Sequence, residues 1–261
     1  MSDTKQPKSA VQSLDRAFAL LNIVAAAPEG ITLGALAQHA GLAPSTTHRL
    51  LGALEGHGMV EFDAQASAWQ IGLGAFRIGA GFLQRRDFIA AARAPMRRLM
   101  QEAGETVNLA ILNQHRVVFI AQIECEEVMR MAVKIGSVGP LHASAVGKAI
   151  LAHMPQEHID QAVSQLSFPL LTEKTLTKPT SYLKELEKVR QSGFALDDEE
   201  QSLGLRCIAA PVFNEFAEPI CALSISGPTV RVTPGRTADL AALVQHAANR
   251  VTEKLGGKIP K

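Results

Sequence analysis

The chain has 261 residues, 47% hydrophobic and 20% charged, with a formal net charge of +1. That length suits two domains with separate cores. No apolar run approaches the roughly 20 residues needed to cross a bilayer, and the opening Met1-Ser2-Asp3-Thr4-Lys5-Gln6-Pro7-Lys8 has no signal-peptide core, so a soluble, cytoplasmic protein is expected. Cys125, Cys207 and Cys221 are odd in number and lack C-x-x-C spacing, so neither a disulfide framework nor a cysteine-based zinc module is suggested.

After a polar tail over 1–10, a helix is expected from about 11 to 26, presenting Leu14, Phe18, Leu21 and Ala25. Residues 33–52 then spell a helix-turn-helix: Leu33, Leu36, Ala37 and Ala40 recur at helical steps, Gly41-Leu42 breaks the chain, and a second helix opens on Pro44-Ser45-Thr46-Thr47. In the second helix Thr47, Leu50, Leu51 and Leu54 form the buried stripe, which turns Ser45, His48, Arg49 and Gly52 outward. A helix N-terminus offers free N–H groups and partial positive charge, so Ser45, Thr46 and Thr47 are candidates to hold a DNA phosphate. Arg49 is the candidate reader of a guanine edge, with His48 or Ser45 making a second contact. The same hydroxyl run would also serve as a plain helix cap. Gly56-His57-Gly58 ends the helix, and strands over 59–63 and 68–73 form a wing, onto which Trp69 packs. Residues 11–73 are thus read as a winged helix-turn-helix.

The charge of this segment is unusual for a DNA binder. Residues 1–73 carry Lys5, Lys8, Arg16 and Arg49 against Asp3, Asp15, Glu29, Glu55, Glu61 and Asp63, a net of minus two. Phosphate contacts by the wing would have to come from Gln65, Ser67 or backbone amides, with affinity restored by pairing subunits on one site.

Residues 74–87 read as a linker helix, with Phe76, Gly79, Ala80 and Leu83 at helical spacing to pair subunits or simply to space the domains. A domain over 88–258 follows. Helices are expected at 89–103, from Ser144 to about 153, after Thr180 as cap with Tyr182, Leu183, Leu186 and Val189 buried, and at 234–255. Strands are expected at 106–113, 116–123, 129–134, 206–213 and 220–226. Locally paired strands with helices outside define an α+β sensor-type domain around an antiparallel sheet.

Alternation puts Leu205, Cys207 and Ala209 on one strand face and Ala222, Ser224 and Ser226 on another. Two hydroxyls on one buried face suggest a polar cavity, because each costs free energy unless bonded. Ser144 can cap a helix whose first N–H groups attract an anion, so a carboxylate held there against Ser224, Ser226 and Cys207 is one reading. Hydroxyls satisfied by neighbouring backbone, with Cys207 as a small core residue, is the other.

The motifs Leu141-His142-Ala143-Ser144 with Gly147-Lys148-Ala149, Asp197-Asp198-Glu199-Glu200 before Gly204-Leu205-Arg206-Cys207, and Ser224-Ile225-Ser226-Gly227-Pro228 resemble the effector domain of IclR-family transcriptional regulators, a GAF/PAS-like α+β fold. Val11-Gln12-Ser13-Leu14-Asp15-Arg16-Ala17 through Leu51 is similar to that family's DNA-binding domain. Trp69-Gln70-Ile71-Gly72-Leu73-Gly74 and Gly104-Glu105-Thr106-Val107-Asn108 resemble its glyoxylate-responsive subgroup governing allantoin utilisation. The resemblance implies a repressor without cofactor or catalysis that binds double-stranded operator DNA as a homodimer or homotetramer. It further implies a small carboxylate or 2-oxo acid effector held by Ser144, Ala145, Val146, Asp197, Cys207, Ser224, Ile225 and Ser226. Ala145 and Val146 stand where the subgroup's pattern has glycine and alanine, adding bulk at the helix end.

Two other readings compete. Cys207 with His142 would make an enzyme's nucleophile and base, and Asp197, His142 and Cys207 would make a mixed-ligand metal site. For DNA binding, the acidic head predicts a shallow dependence of affinity on salt, to be read from titrations at several salt concentrations; a steep slope would place basic contacts elsewhere in the chain.

Overall fold

The computed structural model describes residues 11–84 and 87–260, with side chains for all but 82–84 and 87. The expected tail over 1–10 and positions 85–86 of the linker lie outside the described residues. The chain divides into two compact units, 1–85 and 86–261.

The first unit packs α1 (Gln12–Ala25), α2 (Leu33–Ala40) and α3 (Pro44–Gly56) with the hairpin of β1 (Val60–Asp63) and β2 (Ala68–Ile71), followed by α4 (Leu73–Gln84). Thr32 caps α2 by accepting from the Ala35 amide, and Gly41 ends it at φ +63°, a left-handed backbone that glycine adopts without penalty. Pro44 occupies the first turn of α3, where it sacrifices no helical bond. Leu20, Val24, Leu36, Leu51, Val60 and Trp69 form the core. Trp69 is the expected wing anchor: it is 5% exposed, its ring lies 5.1 Å from that of Phe62, and its backbone bonds Ile31 in both directions. The buried stripe of α1 differs from expectation. Leu20 and Val24 point inward while Leu14 and Phe18 are 52% and 56% exposed, because α2 and α3 cover only the C-terminal half of α1's apolar surface.

The second unit is built on a six-stranded antiparallel sheet in the order β5-β4-β3-β8-β7-β6. Its strands are β3 (Thr106–Asn113), β4 (Arg116–Ile123), β5 (Val138–Pro140), β6 (Ala195–Asp198), β7 (Leu205–Phe213) and β8 (Pro219–Pro228). On one face lie α5 (Asp87–Ala103) and α9 (Thr237–Lys254), burying Val107, Leu109, Ile208, Leu223 and Ile225. On the other lie α6 (Ala145–Leu151), α7 (Gln156–Gln165) and α8 (Pro179–Ser192), over Ala110, Phe119, Cys207, Ala209 and Ala222. The side chains chosen by alternation thus separate two cores.

Several elements depart from the sequence reading. Residues 129–134 form no strand: Met131 and Val133 pack on the second core from a non-strand segment, and the edge is closed instead by β5, whose Pro140 suits an edge position. Strand β6 was hidden by Asp197 and Asp198, poor strand formers that hold an edge here. Thr180 does not cap α8, which starts at Pro179 after Lys178. Helix α7 was also unanticipated.

Gly147 lies in α6 where an added Cβ would collide with the Leu141 carbonyl, whereas Gly34 in α2 faces open space. Gly147→Ala should therefore cost about 1–3 kcal/mol and Gly34→Ala should gain up to about 1 kcal/mol, a contrast readable by thermal or urea denaturation.

Candidate functional site

In the first unit, Ser45, His48, Arg49 and Gly52 are exposed on α3 as expected, and Thr46 is half-buried. Thr47 is the exception among the proposed phosphate contacts. It is 0% exposed, with its hydroxyl (3.2 Å) and amide (3.0 Å) both donating to the Ala43 carbonyl, so it supports the helix from inside and offers no group to a phosphate. At the wing tip, Asp63 Oδ1 accepts from the Gln65 (2.8 Å) and Ala66 (3.1 Å) amides, which removes those amides from the expected contacts. The side chains of Gln65 and Ser67 remain exposed.

In the second unit, strand register assembles the polar residues into rows. Asp197 pairs with Cys207, Cys207 with Ser226 and Ser226 with Thr106; one step along, Ala195, Ala209, Ser224 and Asn108 align. All eight share the sheet face that α6 covers, since side chains alternate along each strand. Asn108 Nδ2 donates to Ser226 Oγ (3.2 Å) and Ser224 Oγ (3.5 Å). Gln122 Nε2 in turn donates to Asn108 Oδ1 (2.8 Å), and the opposite amide orientation would pair Gln122 with the Val133 carbonyl (3.2 Å) and amide (3.1 Å). Asn108 and Gln122 belong to this polar network and the sequence reading missed them. Their signal was a polar side chain flanked by apolar ones in each of two strands.

Helix α6 packs across β3, β6, β7 and β8. Ser144 caps it, its Oγ accepting from the Gly147 amide at 3.4 Å, and Ala145 and Val146 join the cluster that contains Cys207. Seven of the eight expected effector residues, Ser144, Ala145, Val146, Asp197, Cys207, Ser224 and Ser226, are therefore on this side of the sheet and under 9% exposed. Ile225 is not: its side chain sits in the opposite core against α5 and α9, as alternation between two serines requires.

Charge enters this region through three side chains. Lys148, 0% exposed, binds Glu200 Oε1 at 2.5 Å and the Leu196 carbonyl, tying α6 to the β6–β7 turn. Asp197 Oδ1 accepts from the Glu200 (2.8 Å) and Gln201 (3.3 Å) amides. Burial pushes the Asp197 carboxyl up to about 7 against the opposing pull of Lys148. Burial also raises Glu200.

Burial drives the Cys207 thiol away from the thiolate, with the Asp197 charge adding to it. His142 is held towards its neutral form by burial, with Nε2 3.1 Å from the Pro169 carbonyl. A nucleophile needs the thiolate, so this pair is poorly set for chemistry. No cluster of three or more His, Cys, Asp or Glu side chains suited to a metal occurs among the described residues.

An exposed helix-turn-helix joined to an antiparallel α+β unit with a buried polar floor is the build of a ligand-sensing DNA-binding regulator. The family description "Bacterial transcriptional regulator IclR C-terminal" matches residues 80–253 and "IclR helix-turn-helix domain" matches 13–64. The chain belongs to the IclR family of transcriptional regulators. It is 42% identical over 249 residues to the transcriptional repressor IclR of Escherichia coli strain K12, covering 95% of this chain and 91% of that one. It is 37% identical over 247 residues to the HTH-type transcriptional repressor AllR of the same strain, with the same coverage. The crystal structure of Thermotoga maritima IclR superposes with a TM-score of 0.80 at 26% identity, over 94% of this chain and 98% of that one. These relatives are transcriptional regulators, not enzymes. No helix among the described residues is long and apolar enough to cross a membrane.

Asp197 yields a pH prediction. Its folded-state value near 7 lies above the ordinary 3.8, so between these values the folded chain binds more protons than the unfolded chain, and stability falls as pH rises through the window. Asp197→Asn should remove that part of the dependence, and urea denaturation at pH 5 and pH 8 should show the variant gaining on the parent at the higher pH.

Proposed function

We propose that the protein is a cytoplasmic repressor whose second unit binds a small carboxylate or 2-oxo acid of the glyoxylate type and thereby alters operator binding by α3. The observation that carries this reading is the polar floor of Asn108, Ser224, Ser226 and Asp197 on the sheet face that α6 covers. Hydroxyls and an amide there offer donors to carboxylate or carbonyl oxygens, and a protonated Asp197 adds one more. The amides opening α6 add partial positive charge. Val146 and Ala145 narrow the helix end, which favours a compact acid. The names of the relatives fit repression.

On the DNA side, Arg49 reads a base edge, and Ser45, Thr46 and His48 make the neighbouring contacts. Two or four copies act together on a near-palindrome. The exposed Leu14 and Phe18 on α1, and Leu73, Phe76 and Ile78 on α4, are apolar surface of the kind that a second copy covers. Effector and operator are coupled only if the acid prefers one of two arrangements.

Arg49→Ala should abolish preference for an operator over random duplex while the thermal shift produced by glyoxylate or pyruvate persists; an intact preference removes Arg49 from reading. Ser224→Ala with Ser226→Ala should leave the fold in place but blunt the effect of the acid on gel shifts, and an undiminished response would relocate the pocket.

A further inference from the structure

Each serine of the polar floor has a single hydrogen to donate, and the amides behind the serines decide where it points. A hydroxyl donates once and accepts up to twice. With Asn108 Nδ2 turned towards Ser226 Oγ (3.2 Å) and Ser224 Oγ (3.5 Å), both serines accept from the amide and keep their hydrogens for another acceptor. Asn108 Oδ1 is then the acceptor for Gln122 Nε2 at 2.8 Å. In the reverse arrangement Asn108 Nδ2 faces Gln122, Asn108 Oδ1 faces the serines, and both hydroxyls direct their hydrogens at Asn108.

Gln122 ties this choice to a segment outside the sheet. Its side-chain amide lies alongside the Val133 backbone: one terminal atom is 3.2 Å from the Val133 carbonyl oxygen, and the other is 3.1 Å from the Val133 nitrogen and 2.8 Å from Asn108 Oδ1. When Nε2 is the atom shared by Asn108 and Val133, donor meets donor at the Val133 N–H and acceptor meets acceptor at its carbonyl. When Oε1 is that atom, it accepts from the Val133 amide and from Asn108 Nδ2, while Gln122 Nε2 donates to the Val133 carbonyl. Val133 makes no backbone–backbone hydrogen bond among the described residues, so Gln122 is the group that meets its N–H and carbonyl. The row therefore has two self-consistent settings. In one the serines offer hydrogens and Gln122 is set against Val133; in the other Gln122 is bonded to Val133 twice and the serines offer only lone pairs.

Val133 packs, with Met131, on the cluster that contains Cys207, Ala145 and Val146. The stretch carrying them is tied on both sides, because the Met129 carbonyl accepts from Arg231 Nη2 at 2.8 Å and the Gly136 amide donates to the Phe119 carbonyl at 2.7 Å. A change at Gln122 is thus felt between those two ties, over the polar floor's own core.

We propose that Gln122 is a positioning residue for the acid site, forming with Asn108 a two-setting relay in which an anion that takes the Ser224 and Ser226 hydrogens turns both amides and releases the Val133 backbone. The proposal rests on the reading of the polar floor as the site of a small acid, and it adds what the acid does there. Carboxylate and carbonyl oxygens only accept, so such a ligand selects the setting in which the serines donate. A group that only donates, such as an ammonium, leaves Gln122 on Val133.

The test is amide hydrogen exchange in the full chain, with glyoxylate and pyruvate as probes and the binding of each followed separately by thermal shift. A ligand that binds the folded state ordinarily slows exchange by stabilising that state. The relay requires the opposite at one amide. At saturating acid Val133 should exchange about 2- to 10-fold faster, the range set by losing one hydrogen bond, while the buried strand amides of Leu109 and Ile208 do not speed up. Gln122→Met should bring Val133 to the fast rate without acid, and adding acid should then change it no further. The parent's own response decides the matter even where that variant fails to fold. A thermal shift accompanied by unchanged or slower exchange at Val133 overturns the relay and leaves the acid site standing. No thermal shift with either acid overturns the acid reading and the relay with it. Acceleration by acid that persists in Gln122→Met also overturns the relay, because the release would then not pass through Gln122.

Discussion

Everything distinctive in the second unit depends on keeping polar groups buried in the middle of a sheet. Leaving a buried hydroxyl unbonded costs about 1–3 kcal/mol, and this sheet buries Ser224, Ser226, Thr106 and Asn108 on one face. The register solves part of the problem by setting Asn108 across from Ser224 and next to Ser226, so that one amide serves two hydroxyls, while Gln122 on the next strand serves Asn108. Thr106 donates to the Cys125 sulfur and accepts from its amide, which anchors the start of the segment after β4. The network holds together through bonds among its own members.

The same logic applies to Lys148. Two charges taken out of water commonly cost more than their attraction returns, so a fully buried ion pair is weak evidence for stability. Here the pair joins the helix that begins at Ser144 to the turn that holds Asp197, and Glu200 keeps one oxygen, Oε2, buried without a partner. A network left partly unsatisfied is sensitive to what enters it. An anion near Asp197 would favour its protonated form, and Lys148 would offset the added charge.

Much of this was legible in the sequence, for reasons that differ by element. The helix-turn-helix was readable because its periodicity, its left-handed Gly41 and its opening Pro44 all point one way. The serines were readable because strand alternation has a fixed period, and the same period should have excluded the Ile225 side chain from their face. Strand β6 was not legible, because an edge strand carrying two aspartates contradicts local propensity and only tertiary pairing reveals its partner. The inward face of α1 was misread because its apolar residues ring most of the helix, and periodicity alone does not say which of them a neighbour will cover.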